Sequence, residues 1–240
     1  MAGRKTYRFR LRWGEARDTD DTEGKVTGTS PVRPSRSSIA AAFPAFMGRI
    51  AQRPPAYSAL KLEGERAYAL ARDGVAVELA PRAVEIYALR LLDDDGDPDH
   101  AALEAEVGQG TYIRALARDL GFTLGTLAHV TELRRIAVGR FRAEAATSLD
   151  KLAALGHSAA ASGHLLPIET ALDDIPALAL SEEEAHRLRC GQAVVLSAAE
   201  RTRLAPVGEG ATVRATAGGK LVAVAEIALG AVKPVRVLNL

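Results

Sequence analysis

Cysteine is almost absent from this chain. Cys190 stands alone, which excludes an intramolecular disulfide and any cysteine-based zinc site. Long apolar runs are missing too. None approaches the ~20 residues a membrane-spanning helix needs, and the basic N-terminus lacks the apolar core of a signal peptide, so a cytoplasmic address and no membrane partner are expected. The histidines, His100, His129, His157, His164 and His186, show no HExxH or comparable metal spacing. The chain has no GxSxG, no P-loop and no GxGxxG, so hydrolase, nucleotide-driven and dinucleotide chemistries have no motif to stand on. The acidic DTDDTEG run brings Asp18, Asp20 and Asp21 close together, but Glu23 falls where a calcium loop needs its sharp-turn glycine and no glutamate closes it. No metal and no organic cofactor is expected.

What is present is ordinary globular material: 240 residues, 48% hydrophobic and 25% charged, enough for one large domain or a medium and a small one. The net charge of +1 hides an uneven distribution. Residues 1–17 carry Arg4, Lys5, Arg8, Arg10, Arg12 and Arg17 against Glu15. Residues 111–142 carry Arg114, Arg118, Arg134, Arg135, Arg140 and Arg142 against Asp119 and Glu132. Acid gathers from Asp93 to Asp99 and at Glu182 to Glu184. Basic stretches of this kind are either solvated surface or faces for a polyanion.

The opening KTYRFRLRWG alternates, with Tyr7, Phe9, Leu11 and Trp13 on one side and Arg8, Arg10 and Arg12 on the other, and predicts a half-buried strand. Residues 34–50 predict a helix capped by Ser35, Ser37 or Ser38, with Gly48 near its end. RPPAYSALK is proline-constrained and extended, and GERAYALARDG predicts a short helix closed by Gly74. VEIYALRLL and HAALEAEVG predict two strands joined by the acidic turn. In GTYIRALARDLG, Ile113, Leu116, Ala117 and Leu120 share one helical face ended by Gly121, while Arg114 and Arg118 share another at i, i+4. HVTELRRIAVGRF returns to an extended pattern. From Thr147 the composition turns to Ala, Ser, Gly and Pro, predicting a helix and a connection. Near Leu178 a small β unit begins: a capping box runs from Ser181 to Glu184, Gly191 stops that helix, and GG and KP punctuate the later strands. The expected fold is α+β, with boundaries at 1–148, 149–177 and 178–240.

Four segments in order, KTYRFRLRWGEARDTDDTEG from Lys5, QRPPAYSALKLEGERAYALARDG from Gln52, GTYIRALARDLG from Gly110 and HVTELRR from His129, resemble the bacterial TruB-type tRNA pseudouridine synthases, which isomerise the T-loop uridine of tRNA. The resemblance runs from about Gly3 to the terminal VKPVRVLNL. It implies a pseudouridine-synthase core with a mostly antiparallel mixed sheet and a small C-terminal PUA-like β domain. It implies that Tyr7 packs beside the target base and handles a proton. Tyr112 contacts the base, Arg114 pairs with the catalytic aspartate, and the segment of Leu133 lines the uracil pocket. Lys61, Arg66, Arg134 and Arg135 would hold the RNA backbone without reading sequence. The partner implied is the tRNA T stem-loop, met by a monomer that needs no other protein. A base inside a folded stem-loop must be flipped out to react, and aromatic stacking worth ~1–3 kcal/mol per base offsets part of that cost. For Tyr7 and Tyr112 the competing reading is core aromatics with satisfied hydroxyls.

In this family the nucleophile is an aspartate in a G-T-L-D-P-L-A-T-G segment ahead of the K-x-Y strand. The 240 residues contain no such segment. Asp18, Asp20 and Asp21 belong to the family's own acidic loop and are not expected to replace it, and Asp119 is expected to be structural. The expectation is therefore an N-terminally truncated chain, catalytically inactive alone, with a sheet edge exposed and Arg114 deprived of its carboxylate unless another anion, water or a rearranged neighbour fills the gap. A guanidinium so stranded would cost ~3–5 kcal/mol. The alternative function is a non-catalytic tRNA-binding or tRNA-folding protein.

Overall fold

The structure, a computed structural model, describes residues 3–62, 65–68, 79–93, 96–156 and 163–238, with backbone alone for residues 61, 62, 65, 66 and 203. Two compact units emerge, Ala2–Ala146 and Thr147–Leu240.

The first unit holds strands β1 (Lys5–Trp13), β2 (Glu15–Arg17), β3 (Val26–Thr29), β4 (Gly48–Gln52), β5 (Lys61–Leu62), β6 (Glu65–Arg66), β7 (Arg82–Leu91), β8 (His100–Val107), β9 (Ala128–Val138) and β10 (Phe141–Arg142), with helices α1 (Arg36–Ala42) and α2 (Ile113–Thr123). Its main sheet runs β10-β9-β1-β8-β7-β4, every ladder antiparallel. β1 is interior: β8 and β9 flank it, so the arginine-alternating strand has the neighbours its pattern demands. Phe9, Leu11 and Trp13 are buried on one face, in a cluster with Leu103, Val107, Ile113, Leu116 and Leu120. The other face carries charge. Glu104, nearly buried on β8, accepts from Arg8 Nε at 2.9 Å and from Arg90 on β7. Burial pushes its carboxyl up, but the two guanidinium groups outweigh that and hold it below the ordinary range.

Helix α2 lies on the apolar face because Ile113, Leu116, Ala117 and Leu120 are all buried, as their spacing predicts. It does not end at Gly121, however, but runs to Thr123. Gly121 answers a different need: a Cβ there would sit 2.8 Å from the amide nitrogen of Ala128, where β9 begins against the helix. Residues 34–50 are also shorter as a helix than predicted. Ser35 caps α1 by accepting from the Ser38 amide at 3.1 Å, but Pro44 has no N–H for the i→i−4 ladder, and Phe43–Phe46 tighten into a 3-10 turn. Gly48, at φ +76, starts β4 rather than closing a helix. Most of the helix expected over GERAYALARDG lies outside the described residues, and its Glu65 and Arg66 pair as strand β6 against β5.

The second unit contains helices α3 (Leu149–Leu155), α4 (Glu182–Arg189) and α5 (Ala198–Leu204) and strands β11 (Ala177–Ala179), β12 (Val194–Val195), β13 (Thr212–Ala217), β14 (Lys220–Ala228) and β15 (Ala231–Val237). The sheet order is β11-β13-β14-β15-β12, with β11 and β13 parallel. Leu178, Leu188, Val213, Val222 and Val232 sit at the heart of its own core. The Ser181–Glu184 capping box forms as expected, and Ser197 with Glu200 repeats it on α5. Gly218–Gly219 makes the first hairpin turn, but Lys233–Pro234 does not break a strand: it lies inside β15, where the register against β14 skips Val235 next to the proline, and the second turn falls at Leu229–Gly230.

Candidate active site

Helix α2 begins at a clamp. The side chain of Gln52, 1% exposed at the end of β4, accepts from the Tyr112 amide at 2.8 Å and donates to the Tyr112 carbonyl at 3.2 Å. One buried amide thus satisfies an amide at the helix start and fixes where Tyr112 and Arg114 emerge.

Arg114 is the hub of the cluster at that helix start. Its NH1 donates to Asp21 Oδ2 at 2.8 Å and to the Thr19 carbonyl at 3.0 Å, and its NH2 donates to the Tyr57 carbonyl at 2.8 Å. Arg114 is therefore not stranded, and of the expected alternatives it is a neighbouring loop that fills the gap. The acidic loop between β2 and β3 folds over the helix and supplies a carboxylate and a carbonyl, and the proline-constrained segment supplies another carbonyl. Among the described residues these bonds use three of the five guanidinium N–H groups, leaving Nε–H and one terminal N–H for a further anion.

One turn on, Arg118 repeats the arrangement. It donates to Asp20 Oδ2 at 2.9 Å, to the Arg53 carbonyl at 2.7 Å, and to Asp119 at 3.0 Å through Nε. Asp119, expected to be structural, is engaged by Arg118 on its own helix. Asp20 is 8% exposed, in the left-handed region at φ 58, and its carbonyl accepts from the Val130 amide of β9 at 3.0 Å. Burial pushes its carboxyl up to about 6 in spite of Arg118, which pulls it down. Asp119 is raised for the same reason. Asp18 accepts from the Lys25 amide at 2.8 Å, and Arg17 ties the loop's far side through Glu15 and the carbonyls of Thr22 and Gly24. The acidic loop is a braced element whose aspartates are all engaged by protein groups.

Tyr7 is half-buried on β1, on the face that α2 covers, and packs against the shared apolar cluster. On β9, Arg135 stands opposite Tyr7, Arg134 opposite Arg8 and Leu133 opposite Phe9. Leu133 is 47% exposed, an apolar side chain left open to solvent. Leu133 and Arg134 line an open hollow of about 750 Å³ together with Arg8, Phe9, Arg10 and Glu132. Tyr112 and Arg114 do not line that hollow; they belong to the helix-start cluster. Arg134 and Arg135, expected to act alike, are consecutive strand residues and point to opposite faces. The backbones of Lys61 and Arg66 pair across β5 and β6, and their side chains lie outside the described residues.

Reading the sequence missed Gln52, Asp20, Asp21, and Arg118 as a gripping residue. The signal for the last three was present. An i, i+4 arginine pair on a helix and a loop with surplus carboxylates are complementary charges without local partners.

Comparison with known proteins agrees with this architecture. Residues 1–113 match the TruB family pseudouridylate synthase (N terminal domain), and residues 114–173 the tRNA pseudouridylate synthase B C-terminal domain. Among solved structures, a Cbf5-Nop10-Gar1 complex aligns with TM-score 0.69 at 20% identity over 99% of this chain and 66% of that one. An H/ACA RNP bound to a substrate RNA containing 2'-deoxyuridine aligns at 0.68 and 18% identity, over 100% of this chain and 67% of that one, a likeness of fold. The fold is that of the pseudouridylate synthases. Curated relatives called tRNA pseudouridine synthase B include those of Bradyrhizobium diazoefficiens, 54% identical over all of this chain and 69% of the relative, and Rhodospirillum rubrum, 52% identical over all of this chain and 78% of the relative. The chain belongs to the TruB family.

Proposed function

We propose that this chain carries the RNA-gripping and base-positioning part of an enzyme that isomerises the T-loop uridine of tRNA to pseudouridine. That isomerisation exchanges the carbon–nitrogen glycosidic bond for a carbon–carbon one and moves one proton from the base carbon to its nitrogen, so it consumes no oxidant, and no metal or organic cofactor is invoked. The observation that carries the reading is Arg114: a guanidinium fixed by three bonds at the start of a helix, beside Tyr112, with N–H groups left for a carboxylate. An adjacent cation keeps such a carboxylate ionised and aimed. Tyr7 and Leu133, on neighbouring strands, would stand beside the flipped uracil, with Tyr7 taking part in the proton transfer. Arg134, Arg135, Lys61 and Arg66 would hold phosphates. The enzyme would work in the cytoplasm as a monomer on tRNA alone; no described helix is long and apolar enough to cross a membrane.

A second reading rests on the binding surface alone: Leu133 and Arg134 line an open hollow with Arg8 and Arg10, which suits holding RNA whether or not a base is modified. On that reading the chain binds or folds tRNA without modifying it. The test is pseudouridine formation on unmodified tRNA transcript by the chain alone and by the chain extended with that segment. We expect product only from the extended form. Product from neither, with tight T stem-loop binding by both, would establish the second reading, and turnover by the chain alone would require another nucleophile among its carboxylates.

A further inference from the structure

The two arginines of α2 do the same thing one helical turn apart. Arg114 joins Asp21 of the acidic loop to the carbonyl of Tyr57; Arg118 joins Asp20 of the same loop to the carbonyl of Arg53 in the same proline-constrained segment. We propose that Arg118 is a positioning residue: by neutralising the buried Asp20 carboxylate it lets the loop that presents Asp21 to Arg114 stay against the helix. The inference rests on the proposed isomerase function only for its kinetic consequence.

The geometry forces the dependence. Asp20 and Asp21 are consecutive, so the loop cannot bring one carboxylate to α2 without bringing the other, and Asp20 is the deeper of the two. The charged groups acting on the Asp20 carboxylate are Arg118, Arg114 and Asp119, all on α2; β9 contributes the Val130 amide to its carbonyl. Burial already pushes that carboxyl up to about 6 with Arg118 in contact. Without Arg118, a buried carboxylate would face Asp119 with no cation bonded to it, and at neutral pH the loop would leave the helix rather than keep it there. The defect has a specific cure: a neutral isostere at position 20 has no charge to strand. A general packing role for Arg118 would have no such cure.

Two measurements test this. In the 240-residue chain at pH 8, amide exchange at Val130, whose N–H bonds Asp20, is compared with exchange at Leu103 in the sheet core. Arg118→Met should lower protection at Val130 by roughly tenfold or more with little change at Leu103, and Asp20→Asn in the same chain should restore most of it. In the chain extended with the nucleophile segment, Arg118→Met should lower kcat on tRNA by roughly tenfold to a hundredfold with KM nearly unchanged, again with recovery in the double variant. Unchanged protection at Val130, or a loss that Asp20→Asn does not suppress, overturns the proposal. If the extended parent makes no pseudouridine, the isomerase reading fails while the exchange experiment still decides whether Arg118 holds the loop.

Discussion

Replacing Asp20 by Asn should make this protein more stable at neutral pH, although it removes one half of a 2.9 Å ion pair. The carboxyl is raised from its ordinary 3.8 to about 6. The direction says that burial outweighs Arg118. A raised carboxyl binds its proton more tightly in the folded state, so between these two values folding becomes less favourable as pH rises, and above about 6 the full penalty is present. At 1.36 kcal/mol per pH unit the gap corresponds to roughly 3 kcal/mol. Asn mimics the protonated form, still accepts from Arg118 through its amide oxygen, and tolerates the left-handed backbone that Asp20 adopts at φ 58. Arg118 is not stranded, because Asp119 and the Arg53 carbonyl remain. Urea denaturation of both proteins from pH 4 to 8 measures the difference, which also removes every other titrating group from the comparison. The variant should gain up to about 3 kcal/mol at pH 7.5, the gain should shrink as pH falls through 6, and it should vanish near pH 4. A loss at pH 7.5 of about 1 kcal/mol or more, the worth of one neutral hydrogen bond, would show that the ion pair outweighs burial and would refute the reasoning.

Glu104→Gln should do the opposite. Its carboxyl is held low, so its contribution is present above its ordinary 4.5 and is lost as pH falls through the lowered value; the variant should lose about 1–3 kcal/mol at pH 7 and little near pH 2–3, by urea denaturation. Gly121→Ala should destabilise by about 1–3 kcal/mol although alanine is the better helix former, because its methyl would meet β9 backbone at 2.8 Å; a Tm at or above the parent's would contradict the contact. In the extended enzyme, Arg114→Lys should lower the single-turnover rate at least ~tenfold with the tRNA Kd within ~threefold, since the ammonium keeps charge but loses the planar fork. If only binding weakens, Arg114 is a phosphate contact instead.

Secondary structure was most legible where a period ran uninterrupted. The alternation in Lys5–Trp13 and the apolar spacing of Ile113 to Leu120 each named one buried face, and burial obeyed. Boundaries failed where a residue had two meanings. Gly121 spells a helix stop in sequence but serves a close approach to Ala128, and Gly48 spells a stop but opens a strand. Pro234 reads as a break yet sits in β15 next to that strand's own bulge at Val235, a tertiary accommodation that no local rule contains. The site failed differently. Tyr112 and Arg114 could be named from their motif, but their partners are 57 to 95 residues away in sequence, and Gln52 carries no motif at all. Pairing between distant elements is set by the sheet order, which places the β2–β3 loop and the segment after β4 over one end of α2.

That pairing also changes what Arg114 can contribute. A guanidinium held by a single carboxylate takes its orientation from that carboxylate and would arrive at a reaction as mobile as its partner. Here Asp21, the Thr19 carbonyl and the Tyr57 carbonyl fix the plane of the group from two directions, and Gln52 fixes the backbone two residues before it. Asp21 is therefore engaged as a partner of Arg114, together with the two carbonyls. On the proposed function it would orient the cation in advance, so that little reorganisation would be needed when charge develops. Lysine could neutralise Asp21, but one ammonium cannot span Thr19, Asp21 and Tyr57 and still face forward. The charge would survive that substitution, and the preorganisation would not.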